Sequence, residues 1–297
     1  HGGDIYNHFI FFHFKATGTQ LQFAQLIMDF SNNLLDEDKA AGIAPASELL
    51  LPISRLQSDN RSSFSRIFGE DLWTAFELSW LNMDGLPQVA IGEFSIPHNS
   101  DNIVESKSLK IYLNNFNQRR IASWSDVSKI LNRDLSHLVG APIGVKLFTL
   151  DKYDLHRPIS ELTGKCIDNL DLSSVSEGVD ARLLKFHQGK EIEETLYTHL
   201  LRTNCPVTNQ PDWGSLFVNY NGPKIEEASL LAYVVSYRLH QDFHERCVEQ
   251  IFYDLLETCK PQVLTVCARY LRRGGIDINP IRSTKKDYCY GFRLVRQ

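Results

Sequence analysis

A cysteine and an aspartate lie seven residues apart in a segment rich in turn-forming residues. Cys205 directly precedes Pro206, and Asp212 stands between Pro211 and Trp213. The density of proline, asparagine and glycine predicts an ordered loop rather than a helix or a central strand. A loop cysteine can act as a nucleophile when it is a thiolate, and a nearby carboxylate can handle its proton. Free cysteines are usually inert residues of a packed core. On spacing alone, an inert role for Cys205 is as well supported as a nucleophilic role.

A second candidate site is the sequence Phe243-His244-Glu245, inside a segment with a helical pattern. An imidazole can shuttle protons near neutral pH, and a carboxylate can accept two hydrogen bonds from a guanine-like N–H edge. The alternative is a solvated histidine–glutamate pair on a helix surface.

Cationic side chains form a third group of candidates. Lys107 and Lys110 lie three residues apart, so on a helix they share one face, which could bind phosphates or could simply be solvated. The pair Arg272-Arg273 before Gly274 allows the same two interpretations. The sequence contains no HExxH, paired CxxC, GxGxxG or phosphate-loop motif. It therefore predicts neither a metal site nor a Rossmann dinucleotide unit.

Length and composition set broad limits on the class of protein. The chain has 297 residues, of which 43% are hydrophobic and 23% charged, as expected for one large or two smaller globular domains. A net charge of −5 argues against a general nucleic-acid or membrane-surface binder. Six cysteines without regular spacing predict reduced thiols in a cytoplasmic protein. Residues 1–35 lack the features of a signal peptide and are treated as a leader separate from the fold.

The first half of the chain predicts a hairpin followed by a helix and a closing strand. Strand-like runs at 75–80 and 88–96 flank an Asn-Met-Asp-Gly turn at 82–85. Residues 123–138 combine a capping serine with amphipathic spacing, which predicts a helix, and 144–150 read as a strand.

The second half begins after a polar linker at 151–180. The elements expected there are a strand at 183–187, a short helix at 193–201, a strand at 215–219, a turn at 221–223, a long helical stretch at 225–260, a strand at 263–271 and a loop at 272–283.

The two halves resemble each other. Residues 105–113 align with residues 226–234 at an offset of 121, with Glu, Ser, Leu and Tyr at matching positions. This repeat predicts an α+β protein made of two modules, each an antiparallel sheet with helices packed on one face. The modules are expected at 36–150 and 181–297, and only the second contains the cysteine loop.

These motifs together resemble the bimodular NADPH-dependent 7-cyano-7-deazaguanine reductases, which are nitrile reductases of queuosine biosynthesis. The resemblance rests on residues 105–112, 204–214, 243–245 and 273–283, which occur in the expected order. It implies two tandem tunnelling-fold (T-fold) modules, a homodimer, and a small deazapurine substrate whose nitrile is reduced to an amine by two NADPH per turnover. It implies neither a metal, nor a direct nucleic-acid partner, nor a membrane.

The family also implies roles for the catalytic and substrate-binding candidates, and the cofactor contacts are assigned from the cationic candidates of this chain and their neighbours. Cys205 would form a covalent thioimide with the nitrile carbon, Asp212 would act as general acid and base, and His244 would relay protons. The residues expected to bind the substrate are Glu105, Ser106, Phe243 and Glu245. The residues expected to bind the cofactor are Lys107, Ser108, Lys110, Arg273 and Gly274.

Three other functions are compatible with parts of the pattern. A zinc cyclohydrolase or pterin-type enzyme could share the fold, but the sequence lacks a convincing set of metal ligands. A thiol hydrolase would use water in place of hydride, and would not require NADPH. A binding module without catalysis would need neither Cys205 nor Asp212.

Overall fold

The computed structural model describes residues 46–55, 67–172, 176–288 and 291–297. The leader expected at 1–35 lies outside these residues. The strands are β1 (Pro52–Ser54), β2 (Phe68–Leu81), β3 (Pro87–Pro97), β4 (Asn102–Val104), β5 (Gly144–Phe148), β6 (Lys165–Cys166), β7 (Phe186–Asn204), β8 (Pro211–Ile225), β9 (Val263–Tyr270) and β10 (Ile276–Ser283). The helices are α1 (Ser106–Asn114), α2 (Trp124–Val139), α3 (Leu150–His156), α4 (Glu227–Ser236) and α5 (His244–Cys259).

Most of the strands form one large sheet with the order β5-β3-β2-β10-β9-β8-β7-β6. Neighbouring strands are antiparallel except for the short β6, which runs parallel to β7. Strands β1 and β4 form a separate antiparallel pair. The sheet is continuous across the two halves because β2 pairs with β10, in a register that runs from Ala75–Ile276 to Phe68–Ser283.

The helices cover one face of the large sheet and create two hydrophobic cores. Helices α1 and α2 enclose the first core with β2 and β3, and α4 and α5 enclose the second with β7, β8 and β9. Helix α2 begins as its sequence predicts, because the Ser123 hydroxyl accepts a hydrogen bond from the Asp126 amide at 3.1 Å. It ends at Gly140, whose φ of +70° suits a glycine C-cap.

Helix α3 is the exception, since it packs on the opposite face of the sheet. Phe94 belongs to the first core, so its neighbour Glu93 points to the other face of the same strand. There the Glu93 carboxylate accepts a 3.2 Å hydrogen bond from the Tyr153 hydroxyl of α3 and pairs with Arg157. Helix α3 lies in the stretch expected to be a polar linker.

Matching hydrogen bonds confirm the two-module architecture. The Ser108 hydroxyl donates to the Glu105 carbonyl and accepts from the Leu51 amide, and Ser229, at an offset of 121, bonds in the same way to Glu226 and Lys185. The hydroxyls of Tyr112 and Tyr233 donate to buried aspartates on the following long helix, at 2.9 and 2.6 Å. Each module is therefore an α+β unit with the same internal contacts.

Several predicted elements are confirmed. The hairpin is formed by β2 and β3, the helix expected at 123–138 is α2, and the strand expected at 263–271 is β9. The strands expected at 144–150 and 215–219 correspond to β5 and to part of β8.

Other predictions were wrong, and long-range strand pairing explains them. Residues 193–201 lie within β7 and pair with β8, although their glutamates and leucines favour a helix. The turn expected at 221–223 lies inside β8, and the loop expected at 272–283 contains β10. The stretch at 225–260 is interrupted between α4 and α5, and the strand expected at 183–187 begins only at Phe186. The module boundaries stay a prediction. No helix in the described part of the chain is long and apolar enough to cross a membrane.

Candidate active site

The cysteine occupies the loop between β7 and β8. The Cys205 amide donates to the Gln210 carbonyl at 2.9 Å, and the Asn209 amide donates to the Cys205 carbonyl at 2.9 Å, which closes the loop. The Thr208 amide lies 3.5 Å from the Cys205 sulfur. Cys205 is only 9% exposed, but its surface faces a cavity rather than the core.

This cavity lies where the two modules meet and opens to solvent, with about 530 Å³ of empty space when its open mouth is included. The first module contributes the start of α1 and part of β2, and the second contributes the cysteine loop, the start of α5 and the beginning of β10. Its candidate residues are Glu105, Ser106, Lys110, Cys205, Asp212, Phe243, His244, Glu245 and Arg273, and its other walls include Trp73, Val104, Pro206, Val207, Asp242, Leu271, Ile276 and Ile278. The structure therefore brings nine of the residues predicted from sequence into one site.

Asp212 is the electrostatic centre of the cavity. One carboxylate oxygen lies 3.2 Å from His244 Nε2, and the other lies 3.0 Å from Arg273 Nη2. Arg273 is held in turn by Gln210 Oε1 at 2.8 Å, within the cysteine loop. Within the described chain, His244 Nδ1 is buried and has no hydrogen-bond partner. The arrangement joins a thiol, a carboxylate and an imidazole in one cavity, which is the set required for nucleophilic attack with proton transfer.

Two further buried polar atoms are left for a ligand. Glu245 is 2% exposed, and its Oε1 has no hydrogen-bond partner among the described residues. Burial, together with the negative charge of Asp71, raises the pKa of Glu245 to about 7. The indole N–H of Trp73 is also buried and unpartnered within the same part of the chain. Sequence reasoning missed Trp73, since an aromatic residue in a strand carries no chemical signal of its own.

The start of α1 places Glu105 and Ser106 at the cavity. The Glu105 carboxylate caps the helix by accepting hydrogen bonds from the amides of Lys107 and Ser108, at 3.0 and 2.6 Å. Ser108 itself is buried, and its hydroxyl bonds to Leu51 and Glu105. The structure thus gives Ser108 a role in fixing the helix start, and the cofactor contact expected for it stays a prediction.

The remaining cofactor candidates differ in whether they line a cavity. Lys110 lines the main cavity and also a second one of about 420 Å³, which contains Gly274. Burial, reinforced by the charge of Arg273, lowers the pKa of Lys110. Gly274 has a φ of +60°, and a Cβ atom at this position would lie 3.1 Å from Lys110 Cε, so glycine leaves room for the lysine side chain. Lys107 lines neither cavity. Across the described residues, no group of three or more His, Cys, Asp or Glu side chains could hold a metal ion.

Fold and site together define a two-module α+β protein with a thiol–carboxylate–imidazole cavity between its modules. Residues 45–147 match the family model "Nitrile reductase, 7-cyano-7-deazaguanine-reductase N-term", and residues 211–288 match the model "QueF-like protein". A protein from Saccharophagus degradans named NADPH-dependent 7-cyano-7-deazaguanine reductase is 51% identical over 229 residues, which cover 77% of this chain and 84% of that relative. The chain belongs to the family of NADPH-dependent 7-cyano-7-deazaguanine reductases.

Proposed function

We propose that this chain reduces the nitrile of 7-cyano-7-deazaguanine to the primary amine of 7-aminomethyl-7-deazaguanine, a step of queuosine biosynthesis, with two NADPH per turnover. The observation that carries this proposal is the joint placement of Cys205, Asp212 and His244 in one cavity of a chain that belongs to this reductase family.

Cys205 begins the reaction as the nucleophile. Its sulfur forms a bond to the nitrile carbon, the thiol proton leaves through Asp212, and the nitrile nitrogen gains a proton, which gives a covalent thioimide. NADPH, when bound, supplies one hydride to this carbon in each of two rounds. After the first hydride, the carbon–sulfur bond breaks, the sulfur leaves as thiolate, and an imine remains in the cavity. The second hydride and a proton complete the amine, so that two hydrides and two protons have been added to the nitrile.

Asp212 and His244 handle the protons of both rounds. The 3.2 Å separation between Asp212 Oδ2 and His244 Nε2 allows a proton to pass directly between them. The ion pair with Arg273 fixes the orientation of the carboxylate while its charge changes.

The deazaguanine ring needs a partner for its lactam edge, which presents one N–H donor and one carbonyl acceptor. Glu245 Oε1 is a buried acceptor without a partner in the described chain, and the Trp73 indole is a buried donor in the same condition. Their hydrogen-bonding capacity is complementary to that edge. Glu105, Ser106 and Phe243 line the same cavity and complete the proposed substrate contacts.

A dinucleotide requires cations and accessible backbone for its phosphates. Lys110 lines both cavities, and its side chain lies against the backbone of Gly274. We therefore assign Lys110, Gly274 and Arg273 to the cofactor, with Lys107 as an outer contact. Retention of the imine in the cavity would limit its hydrolysis by water.

The location and assembly follow the family expectation. We propose a cytoplasmic homodimer that acts on a free small molecule rather than on nucleic acid. The net charge of −5 supports the absence of a nucleic-acid partner, and the cysteines that the structure describes are all free thiols, as a reducing compartment requires.

The test is a turnover assay with 7-cyano-7-deazaguanine, in which NADPH oxidation and the product mass are followed together. The proposal predicts two NADPH oxidised for each amine formed. Cys205→Ala should abolish turnover, whereas the exposed Cys166→Ala should leave it unchanged. A carboxylate product without NADPH would identify a hydrolase, and loss of activity on chelation with recovery on zinc addition would identify a zinc enzyme. Ligand binding without any turnover would identify a binding module.

A further inference from the structure

Tyr270 is a fully buried tyrosine that contacts the proposed proton relay. It is the last residue of β9 and is 0% exposed. Its ring stacks on the His244 imidazole with centroids 3.9 Å apart and planes inclined by only 6°. The stack is therefore close and nearly parallel, and it restricts rotation of the imidazole about its side-chain bonds.

The ring of Tyr270 also rests on a glycine of the neighbouring strand. Gly214 is the register partner of Tyr270 in the β8–β9 pair. A Cβ atom at Gly214 would lie 3.2 Å from two ring carbons of Tyr270, which is closer than ordinary packing allows. Glycine at this position lets the ring lie directly over the strand, two residues beyond Asp212.

Hydrogen bonds from other segments also fix the backbone of Tyr270. Its amide donates to Asn279 Oδ1 at 3.2 Å, and its carbonyl accepts a hydrogen bond from Gln297 Nε2 at 3.3 Å. Gln297 Nε2 also donates to Asn279 Oδ1 at 2.5 Å, and Gln297 is only 3% exposed. Side chains of β10 and of the C-terminal segment thus fix the residue whose ring contacts His244.

We propose that Tyr270 is a positioning residue for His244: its ring, seated on Gly214, sets the plane of the imidazole so that Nε2 meets Asp212. An imidazole with a single hydrogen bond could turn away from the carboxylate, and the stack prevents this. Burial, followed by the nearby Cys247 and Asp212, raises the pKa of Tyr270 well above its usual value, so the phenol stays neutral. The inference rests on the proposed function only in that His244 relays protons.

Nuclear magnetic resonance of protein labelled with 15N-histidine tests the proposal without substrate. The His244 signals are assigned by their loss in His244→Gln, and the tautomer ratio and exchange of its Nε2 proton are compared among variants. Wild type and Tyr270→Phe, which keeps the ring, should show one tautomer with a slowly exchanging Nε2 proton. Tyr270→Leu should show mixed tautomers and fast exchange, with kcat about tenfold lower and KM changed less than about twofold. An unchanged tautomer and exchange rate in Tyr270→Leu would overturn the proposal, whatever its activity.

Gly214→Ala provides a second variant that leaves the tyrosine in place, for the case that Tyr270→Leu does not fold. The added methyl group requires the ring to move by a few tenths of an ångström, so the His244 signals should shift in the same direction as in Tyr270→Leu, by a smaller amount. A folded Gly214→Ala protein with wild-type His244 signals would contradict the role of this contact. Because these readings need neither NADPH nor substrate, a fixed imidazole in a protein without reductase activity would refute the proposed function and leave this inference standing.

Discussion

A buried carboxyl group with an unpaired oxygen is unfavourable for folding, and Glu245 is such a group. It is 2% exposed, and burial together with the negative charge of Asp71 raises its pKa to about 7. The neutral acid is therefore favoured in the folded protein over a pH range in which an unfolded chain would be ionised. In the proposed complex, a ligand N–H would donate a hydrogen bond to Oε1 of the carboxylate. The burial of Glu245, which is unfavourable for folding, would then contribute to binding of the ligand.

The pH dependence of stability should report this cost. The folded pKa of Glu245 is raised from about 4.5 to about 7, so the folded state binds the proton more tightly. Between these values the free energy of unfolding should fall as pH rises, by up to about 3 kcal/mol, and should level off above pH 7. Glu245→Gln should lose this decline in urea titrations at pH 5 and pH 8. Glu257→Gln, an exposed change on the same helix, should keep it, and equal slopes for all three proteins would refute the assignment.

The residues found from sequence and those missed differ in kind. Cys205 and Asp212 were recognisable because turn-forming residues around them predicted an ordered loop. The structure confirms the loop at 205–210, but Asp212 lies in β8, where it pairs with Thr203 of β7. Trp73 and Tyr270 lie in strands with core-like patterns, and their proximity to the cavity arises only from the fold. The motif of Ser108 lies beside the site while its hydroxyl bonds to Leu51 and Glu105, and the cofactor contact expected for it stays a prediction.

At the scale of elements, one serine in each module connects a helix start to a preceding chain segment. Ser108 links α1 to Leu51, and Ser229 links α4 to Lys185, through the same pair of hydrogen bonds. Both serines are buried, so a lost hydroxyl would leave a backbone amide without its partner.

Removing either hydroxyl should therefore lower the free energy of unfolding by a similar amount. Ser108→Ala and Ser229→Ala should each lower the free energy of unfolding by about 1–3 kcal/mol, since each leaves an amide unsatisfied. Ser125→Ala, at an exposed position of α2, should change it by less than about 0.5 kcal/mol. Chemical denaturation measures all three, and a neutral effect at both buried serines would contradict the duplicated contact.

Element types were predictable where local pattern and tertiary pairing agree. The β2–β3 hairpin and α2 were correct because an Asp-Gly turn and a serine cap specify them locally. Strand β7 was mistaken for a helix because its glutamates and leucines favour helices, and only its pairing with β8 makes it a strand. Strand β10 was mistaken for a loop because its partner β2 is separated from it by most of the chain.

In the whole molecule, a buried ion-pair network lies where β2 of the first module pairs with β10 of the second. Asp71 of β2 accepts a 2.7 Å hydrogen bond from Arg282 of β10 and also pairs with Arg55. Burial alone would raise the pKa of Asp71, but the two guanidinium groups hold it below its usual value. The carboxylate therefore stays ionised and links strands of both modules.

Breaking this network should weaken the joined sheet. Arg282→Met leaves Asp71 with Arg55 alone, and the free energy of unfolding should fall by about 3–5 kcal/mol. Asp71→Asn combined with Arg282→Met should cost less than the sum of the single changes. Because the folded pKa of Asp71 is lowered, its contribution should be present at neutral pH and lost as pH falls through that folded value. Additive effects on the free energy of unfolding in the double variant would show that Asp71 and Arg282 do not stabilise the joined sheet as a pair.

The proposed reaction depends on a covalent bond between Cys205 and the nitrile carbon. Intact-mass measurement of protein mixed with 7-cyano-7-deazaguanine, without NADPH, tests it most directly. We expect an adduct with the full mass of the ligand, absent in Cys205→Ala, present in Cys166→Ala and converted to free amine when NADPH is added. No adduct in the wild-type protein, with binding that Cys205→Ala does not alter, would contradict it.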